Sequence, residues 1–355
     1  MPQDAPQPEA TPVASRTAPD PAQIRRAVAV LCAGGLVAFP TETVYGLAAD
    51  ADQDAAVAAI FRAKGRPADH PLILHVAHAG AVAAWASEIP AAARALIDRF
   101  WPGPLTLILP RSGRASDVVT GGQDTVGIRC PSHPWAQALL RGFAAARGDE
   151  AAALAAPSAN RYGRISPTCA AHVRADLGQK PGGRVDLILD GGECELGIES
   201  TIVDFATGAA RILRPGSIRA EQVSETLHAE VSGAGDAPAP RTPGRVAGHY
   251  APRKPLELVA PADLVQRIAA LQGRRVGVLA PAGAPLGRGE AWLALRLAAA
   301  DDPQVYAHEL YGNLHRLDAS AAEVLLVALP PPGSRWEAVH DRLRRAAAGS
   351  LPEAG

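Results

Sequence analysis

Phe39-Pro-Thr-Glu-Thr-Val-Tyr-Gly-Leu47 is the stretch on which the interpretation of the fold depends. It grows out of the short apolar run Leu36-Val-Ala-Phe39, which predicts a buried strand delivering a threonine-rich turn. The following segment, Asp52–Arg62, predicts a helix that ends at Lys64-Gly65-Arg66-Pro67. A strand, a polar turn and a helix therefore follow one another within the first third of the chain.

The same alternation continues downstream. Short apolar runs predict strands at 71–76, 105–109, 126–130, 151–156, 187–189, 201–204 and 211–213. Helices and strands mix without a strict βαβ period. The predicted fold class is therefore α/β of the α+β type, a twisted mixed sheet flanked by helices rather than a doubly wound Rossmann sheet.

Length and composition divide the chain. Its 355 residues suggest two domains. Residues 1–20, rich in Pro and Ala, predict a disordered tail, and residues 21–231 are expected to form the first domain. Residues 232–254, which begin with a Gly-, Ala- and Pro-dense run, predict a linker. Residues 255–350 predict a smaller, Rossmann-like α/β domain.

Charge and hydropathy exclude several classes of protein. The formal net charge is -1, so no overall positive field indicates a nucleic-acid partner. No apolar run is long enough to cross a bilayer, and we expect a cytoplasmic protein. Cys32, Cys130, Cys169 and Cys194 have neither zinc-site nor redox spacing and are expected to fill the core.

Two short motifs predict a site for a triphosphate. Lys64 and Arg66 lie two residues apart on a Gly-Pro loop that we expect to be exposed, so two cations can converge on one polyanion. Ser158 and Asn160, in Pro157-Ser-Ala-Asn160, offer short hydrogen-bonding side chains. Arginine supplies nearly all the positive charge of the chain, and a lysine here favours a compact ammonium. The alternative is that Lys64 merely ends a helix, where a cation is favourable.

Two polar residues lie within predicted apolar strands. Arg129 lies in an apolar strand, where an unpaired charge would be costly, and a guanidinium pairs bidentately with a carboxylate. His75 alternates with Leu74 and Val76 and so faces away from the apolar side of its strand. Alone, a strand histidine is more typical of a core residue with satisfied hydrogen bonds.

Taken together, the motifs resemble a known family. FPTETVYGL, KGRP, PLILHV, VGIRCP, PSAN, ESTIVD, ILRPG and HYAP occur here in one order. They resemble the L-threonylcarbamoyladenylate synthases, the YrdC-like enzymes, in the longer form with an extra C-terminal α/β domain. The resemblance covers roughly Gln23 to Ala348. It implies that residues 21–231 are the catalytic domain and that the linker 232–254 lies across the catalytic groove as a lid.

The resemblance implies a nucleotidyltransferase. L-Threonine and bicarbonate would form N-carboxythreonine, whose carbamate oxygen attacks the α-phosphorus of ATP to give threonylcarbamoyl-AMP and pyrophosphate. This is the first step of threonylcarbamoyladenosine modification of tRNA, so a tRNA-modifying transferase complex would receive the product. Mg²⁺ bridging phosphate oxygens is expected as the cofactor, without a cage of protein ligands.

The resemblance also implies site residues. Lys64 and Arg66 would be the catalytic cations. The implied ATP-binding residues are Arg66, His70, Thr125, Ser158, Asn160, Ser166, Arg214 and Tyr250. The implied L-threonine-binding residues are Thr43, His75, Arg129, Ala156 and Ser200. His70 is a departure, since the family usually has Asn there.

Plain structural alternatives exist for several of these residues. Arg214 could be a surface charge, Thr125 a strand-edge hydroxyl, and Tyr250 an anchor for the second domain. Thr43 and Ser200 sit where hydroxyls commonly cap helices or bond their own backbone.

Two other functions compete with the synthase. One keeps the fold but changes the acceptor, as in the carbamoyl-handling domains of hydrogenase maturation proteins. The other is an RNA-binding module, with tRNA contact as a weakly supported partner. The run Arg342, Arg344 and Arg345 is interpreted as a solvated helix end.

Overall fold

The structure is a computed structural model that describes residues 18–206, 208–231, 233, 239–244 and 248–350. The helices are α1 (Pro21–Cys32), α2 (Asp54–Lys64), α3 (Val82–Trp85), α4 (Ala91–Phe100), α5 (Asp117–Thr120), α6 (Pro134–Arg147), α7 (Ala170–Asp176), α8 (Ala220–Leu227), α9 (Leu264–Ala270), α10 (Pro303–Ala319) and α11 (Glu337–Ser350). The strands are β1 (Val37–Phe39), β2 (Gly46–Asp50), β3 (Ile73–Val76), β4 (Leu105–Pro110), β5 (Thr125–Arg129), β6 (Ala153–Ala155), β7 (Leu187–Ile188), β8 (Thr201–Asp204), β9 (Arg211–Arg214), β10 (Leu256–Val259), β11 (Val276–Pro281), β12 (Leu293–Ala299) and β13 (Val324–Ala328).

The first domain is built on a mixed sheet of nine strands in the order β7-β1-β2-β6-β3-β5-β4-β8-β9. The hydrogen-bonded pairs β1–β2, β2–β6, β3–β6, β4–β5 and β8–β9 are antiparallel, whereas β1–β7, β3–β5 and β4–β8 are parallel. The mixed α/β fold class predicted from the sequence is confirmed.

Helices cover the two faces of this sheet unequally. On one face, side chains of α2 and α4 pack against Leu74 and Leu107 in the largest apolar cluster. On the other face, α1 and α6 cover only the end of the sheet that contains Val37 and Phe39. The remaining part of that face carries a small apolar cluster, against which Ala239 of the linker packs. Polar side chains can therefore collect there, under the linker.

The second domain has a fully parallel sheet in the order β10-β13-β11-β12. Alternate residues of its strands point to opposite sides, so Leu325 and Val327 join the cluster of α10 and α11, while Val324 and Leu326 join that of α9. Helices α10 and α11 also contact the first domain, where Tyr311 and Arg342 both bond Glu199.

The predicted domain boundaries remain a prediction. Residues 1–17 of the expected tail and most of residues 232–238 lie outside the described residues, as do residues 245–247 of the linker. Within the described ranges, no helix is both long and apolar enough to span a bilayer.

Candidate active site

The lysine that ends α2 is buried. Gly65 closes the helix with a φ of 64°, and Lys64 retains 3% of its accessible surface. Its Nζ donates to the carbonyl of Ser158 at 2.5 Å and also to the carbonyl of Asn160. Burial and the neighbouring charge of Arg66 lower the pKa of Lys64 well below its usual value. Lys64 thus ends a helix and also ties that helix to the loop 157–160.

Arg66 is also buried. It is 7% exposed, and its Nη2 donates to the carbonyl of Pro71 at 2.9 Å. Burial lowers the pKa of Arg66 to about 10. The loop itself is exposed at Gly65 and at residues 67–69, as expected, but the expectation that its two cations are exposed is wrong. Both side chains turn inward, where the Lys64 ammonium and the Arg66 guanidinium donate to backbone carbonyls.

The loop after β6 is shaped by Asn160. Its Nδ2 donates to the carbonyls of Arg161 and Arg164, each at 2.8 Å, so the side chain organises backbone rather than facing open space. Ala159 N–H donates to the Tyr45 carbonyl at 2.8 Å, which holds the loop against the turn before β2. Ser158 is thereby placed beside that turn.

On the opposite side of the site, Arg129 of β5 meets the threonine-rich turn. Its Nη1 donates to Thr43 Oγ1 at 2.7 Å, and its Nη2 lies 2.7 Å from Glu42 Oε1. Both charged side chains are at most 5% exposed. The buried guanidinium that the sequence predicted therefore has a buried carboxylate partner, Glu42, which sequence reasoning did not single out.

His75 lies beside Arg129 because β3 and β5 are parallel and pair the two residues in register. Its Nδ1 lies 3.2 Å from the Ile73 carbonyl, which can only accept, so Nδ1 carries the proton and Nε2 remains an acceptor. Burial and then the charge of Arg129 lower the pKa of His75 to about 3. The imidazole is therefore neutral at ordinary pH.

Arg214, at the end of β9, joins the first domain to the linker. Its guanidinium donates to the Ser200 carbonyl at 2.9 Å and to Ser200 Oγ at 3.1 Å, while Nη1 reaches the Pro243 carbonyl at 3.0 Å. Gly244 follows with a φ of 83°. Arg214 is 3% exposed, so the surface-charge alternative is wrong.

Tyr250 closes the site from the linker side. It is fully buried, has a φ of 64°, and packs its ring 4.2 Å from that of His249 and 5.6 Å from that of Tyr311 in α10. A Cβ on Gly244 would lie 2.2 Å from the Tyr250 hydroxyl, so only glycine leaves that hydroxyl its place.

These elements enclose a cavity of about 50 Å³. It brings together predicted residues of both classes, namely Thr43, Arg66, His75, Arg129, Ala156, Ser158, Ser200, Arg214 and Tyr250. Three arginines, Arg66, Arg129 and Arg214, belong to its lining, whereas Glu199 is the one carboxylate among the lining residues. The cavity therefore suits anionic groups.

The other predicted residues lie outside the lining. Lys64 lies behind the loop 157–160, and Asn160 of that loop turns its side chain onto the carbonyls of Arg161 and Arg164. Ser166 donates to Glu199 Oε1 at 2.6 Å. Thr125 is half-buried at the start of β5. His70 Nδ1 lies 3.1 Å from the Tyr162 hydroxyl, and the Tyr162 ring contacts both the Arg66 guanidinium and His249.

Glu199, a residue of the site, is held by two residues of the second domain. Glu199, just before Ser200 in the ESTIVD string, accepts from Tyr311 at 2.9 Å and from Arg342 Nε at 2.8 Å. Arg342 is fully buried, so its interpretation as part of a solvated helix end is wrong; of that run, Arg344 is the exposed member. The sequence alone does not show which of these three arginines points into the protein.

Metal ligands are not gathered anywhere in the described part of the chain: no group of three or more His, Cys, Asp or Glu side chains is placed to hold an ion. A Mg²⁺ ion would therefore depend on oxygens brought by a ligand.

Known proteins resemble this chain along most of its length. The Sua5/YciO/YrdC family model, described as telomere recombination, matches residues 29–216, and the model of the threonylcarbamoyl-AMP synthase C-terminal domain matches residues 218–348. A threonylcarbamoyl-AMP synthase of Pyrococcus abyssi is 39% identical over 91% of this chain and 94% of its own, and one of Bacillus subtilis is 38% identical over 93% and 94%. The crystal structure of Pyrococcus abyssi Sua5 complexed with L-threonine superposes with a TM-score of 0.81 at 35% identity, covering 92% of this chain and 94% of that one.

Proposed function

The chain belongs to the Sua5/YciO/YrdC family and carries the C-terminal domain of threonylcarbamoyl-AMP synthases, and we propose that it makes threonylcarbamoyl-AMP from L-threonine, bicarbonate and ATP. The observation that carries the proposal is one cavity whose lining contains both Arg66, Ser158 and Arg214 and Thr43, His75 and Arg129. The first group suits a polyphosphate and the second an amino acid.

In this proposal Arg129 binds the threonine carboxylate, with Thr43 and Ser200 beside it. The guanidinium is already held by Thr43 and Glu42, so it is oriented before the substrate arrives. His75 offers its Nε2 lone pair, which can accept a hydrogen bond from the threonine hydroxyl or amine. Ala156 leaves room for the side chain at the end of β6.

Lys64, Arg66 and Arg214 neutralise the triphosphate. Lys64 lies outside the cavity lining and donates to the carbonyls of Ser158 and Asn160, so in this proposal its charge acts on the phosphates from behind the loop 157–160. The low pKa of the buried ammonium means that an approaching polyanion favours its charged form. As the carbamate oxygen attacks the α-phosphorus, charge moves onto the departing pyrophosphate, where these cations stabilise it.

Mg²⁺, when bound on the phosphate oxygens, would supply further charge neutralisation. Since the product is destined for tRNA, we place the reaction in the cytoplasm, with a tRNA-modifying transferase complex as the next partner.

The linker must move for ATP to enter. The cavity of about 50 Å³ is far below the roughly 300–1,000 Å³ of sites that hold ligands of this size. Residues 243–244 and 249–250 form its cover, so we propose that this segment opens to admit ATP.

Gly244→Ala should disturb this cover. The new Cβ would meet the Tyr250 hydroxyl at 2.2 Å, and the positive φ adds strain of about 1–3 kcal/mol. We expect faster proteolytic cleavage of the linker and slower pyrophosphate release. Gly283→Ala, where a Cβ meets nothing within 4 Å, is the control. Cleavage at the wild-type rate in Gly244→Ala would contradict the cover assigned to this segment.

A pH prediction follows from His75. Unfolded histidine titrates near pH 6.5, whereas burial lowers the pKa of folded His75 to about 3. The unfolded state therefore binds a proton that the folded state does not, and the free energy of unfolding falls as the pH drops below about 6.5. His75→Gln should reduce the loss of stability between pH 7 and 5 by about 2 kcal/mol, measured by denaturant unfolding. The exposed His78→Gln is the control, and an unchanged pH dependence in His75→Gln would refute the argument.

The reaction itself is tested by pyrophosphate release from ATP, with threonine and bicarbonate omitted in turn. We expect release only when both are present. Release that ignores threonine would favour another carbamoyl chemistry. No release from the folded protein, together with salt-sensitive RNA binding, would favour a binding module.

A further inference from the structure

Glu199 connects the cavity to the second domain. Glu199 lines the cavity, but the side chains that donate hydrogen bonds to its carboxylate are outside the cavity lining. Oε1 accepts from Ser166, while Oε2 accepts from Tyr311 of α10 and from Arg342 of α11. One carboxylate is thus shared between a residue of the ATP side and two residues of the C-terminal domain.

Arg342 uses its guanidinium for several contacts besides Glu199. It is fully buried, and its Nη1 donates to the Pro215 carbonyl at 2.9 Å and to Asp341 at 2.7 Å. Its guanidinium also lies 5.4 Å from the centre of the Tyr250 ring. The side chain therefore touches the linker cover and the loop before Ser200 together.

The ion pair of Glu199 and Arg342 determines the net charge at this part of the cavity lining. Burial alone would raise the pKa of Glu199, but Arg342, Arg214 and the Ser166 hydroxyl together lower it to about 2, so the carboxylate is ionised. Without Arg342, this buried anion would face the cavity where a polyphosphate must lie. Arg214 is the other cation that acts on Glu199. It would then be drawn toward the unpaired carboxylate, although in the structure it donates to Ser200 and to the Pro243 carbonyl.

We propose that Arg342 is a positioning residue of the active site, by which the C-terminal domain neutralises Glu199 and so leaves Ser166 and Arg214 in place for ATP. This inference rests on the proposed function in taking ATP as the ligand. It assigns to the second domain an electrostatic part in binding ATP, beyond carrying the linker.

The consequence is selective for ATP. A triphosphate carries several negative charges and in our proposal lies beside Arg214, whereas threonine carries one carboxylate, which in our proposal pairs with Arg129. An arginine that only docked the two domains would, when lost, weaken both ligands alike.

The test is binding of ATP and of L-threonine, each measured by titration calorimetry of the full-length protein, which requires no turnover. Arg342→Met should weaken ATP about 10-fold or more while threonine changes less than about threefold. Arg342→Lys, which keeps the charge, should bind ATP within about threefold of wild type. Glu199→Gln/Arg342→Met, which removes both charges, should regain ATP binding because no carboxylate is left unpaired.

Arg344→Met is the matched control, an exposed arginine on the same helix, and should bind ATP as wild type does. Unchanged ATP affinity in Arg342→Met, or equal losses for ATP and threonine, would overturn the proposal. Should Arg342→Met not fold, the lysine and double variants decide, and weak ATP binding by both would overturn it. A failure of the synthase function would appear separately, as wild-type protein that binds ATP but releases no pyrophosphate.

Discussion

Lys64→Met should reduce pyrophosphate release by about 100- to 1,000-fold, the loss typical of removing one donor that stabilises developing charge. The ammonium links α2 to the loop 157–160, since it donates to the carbonyls of Ser158 and Asn160. Methionine keeps the length and apolar stem of the side chain but gives up the charge and all three donors. The substitution should therefore remove the charge that stabilises the phosphates and should also change the shape of the loop.

The burial of Lys64 adds a structural cost to the same substitution. Each buried carbonyl left without a partner costs about 1–3 kcal/mol, so a lower free energy of unfolding should accompany the loss of activity. Lys180→Met is the control, because Lys180 is 54% exposed and pairs with Asp186 at the surface. Thermal unfolding of both variants establishes whether Lys64→Met remains folded at the assay temperature. Near-normal turnover in a folded Lys64→Met protein would refute the phosphate role.

The sequence predicted most of the strands, because their apolar runs are short, rich in Val, Ile and Leu, and bounded by turn residues. It did not predict β2, Gly46-Leu-Ala-Ala-Asp50, whose Gly, Ala and Asp residues have low β-propensity. That strand exists because β1 and β6 supply antiparallel partners on both sides of it. Pairing with distant segments overrode the local preference, and a single sequence does not show such pairing.

The same limit applies to the site. Arg129 could be predicted because a charge in an apolar strand is itself a signal. Its partner Glu42 could not, since an acidic residue in a polar turn is unremarkable until the turn is folded over β5. Glu199 and Arg342 are 143 positions apart in sequence, and their contact depends on how two domains dock. Sequence reasoning thus found residues marked by local anomaly and missed those defined by a tertiary partner.

Arg129→Met should weaken L-threonine binding by about 2–5 kcal/mol while leaving ATP binding nearly unchanged. In our proposal the guanidinium is the only group that pairs with the threonine carboxylate, and the apolar strand around it excludes competing water. The measurement is titration calorimetry with each ligand separately. Equal losses for threonine and ATP would contradict the division of the cavity into two halves.

A second effect of Arg129→Met must be separated from binding. Removing the guanidinium leaves the Glu42 carboxylate, 2% exposed, without its counter-charge, and this should destabilise the folded protein by about 3–5 kcal/mol. Glu42→Gln/Arg129→Met removes both charges and should recover much of the stability without recovering threonine binding. Arg147→Met is the control for losing an arginine beside a buried carboxylate, because Arg147 lies 3.7 Å from Asp50 and outside the cavity lining. A double variant that regained threonine affinity would show that the pair only stabilises the fold, and that another group binds the carboxylate.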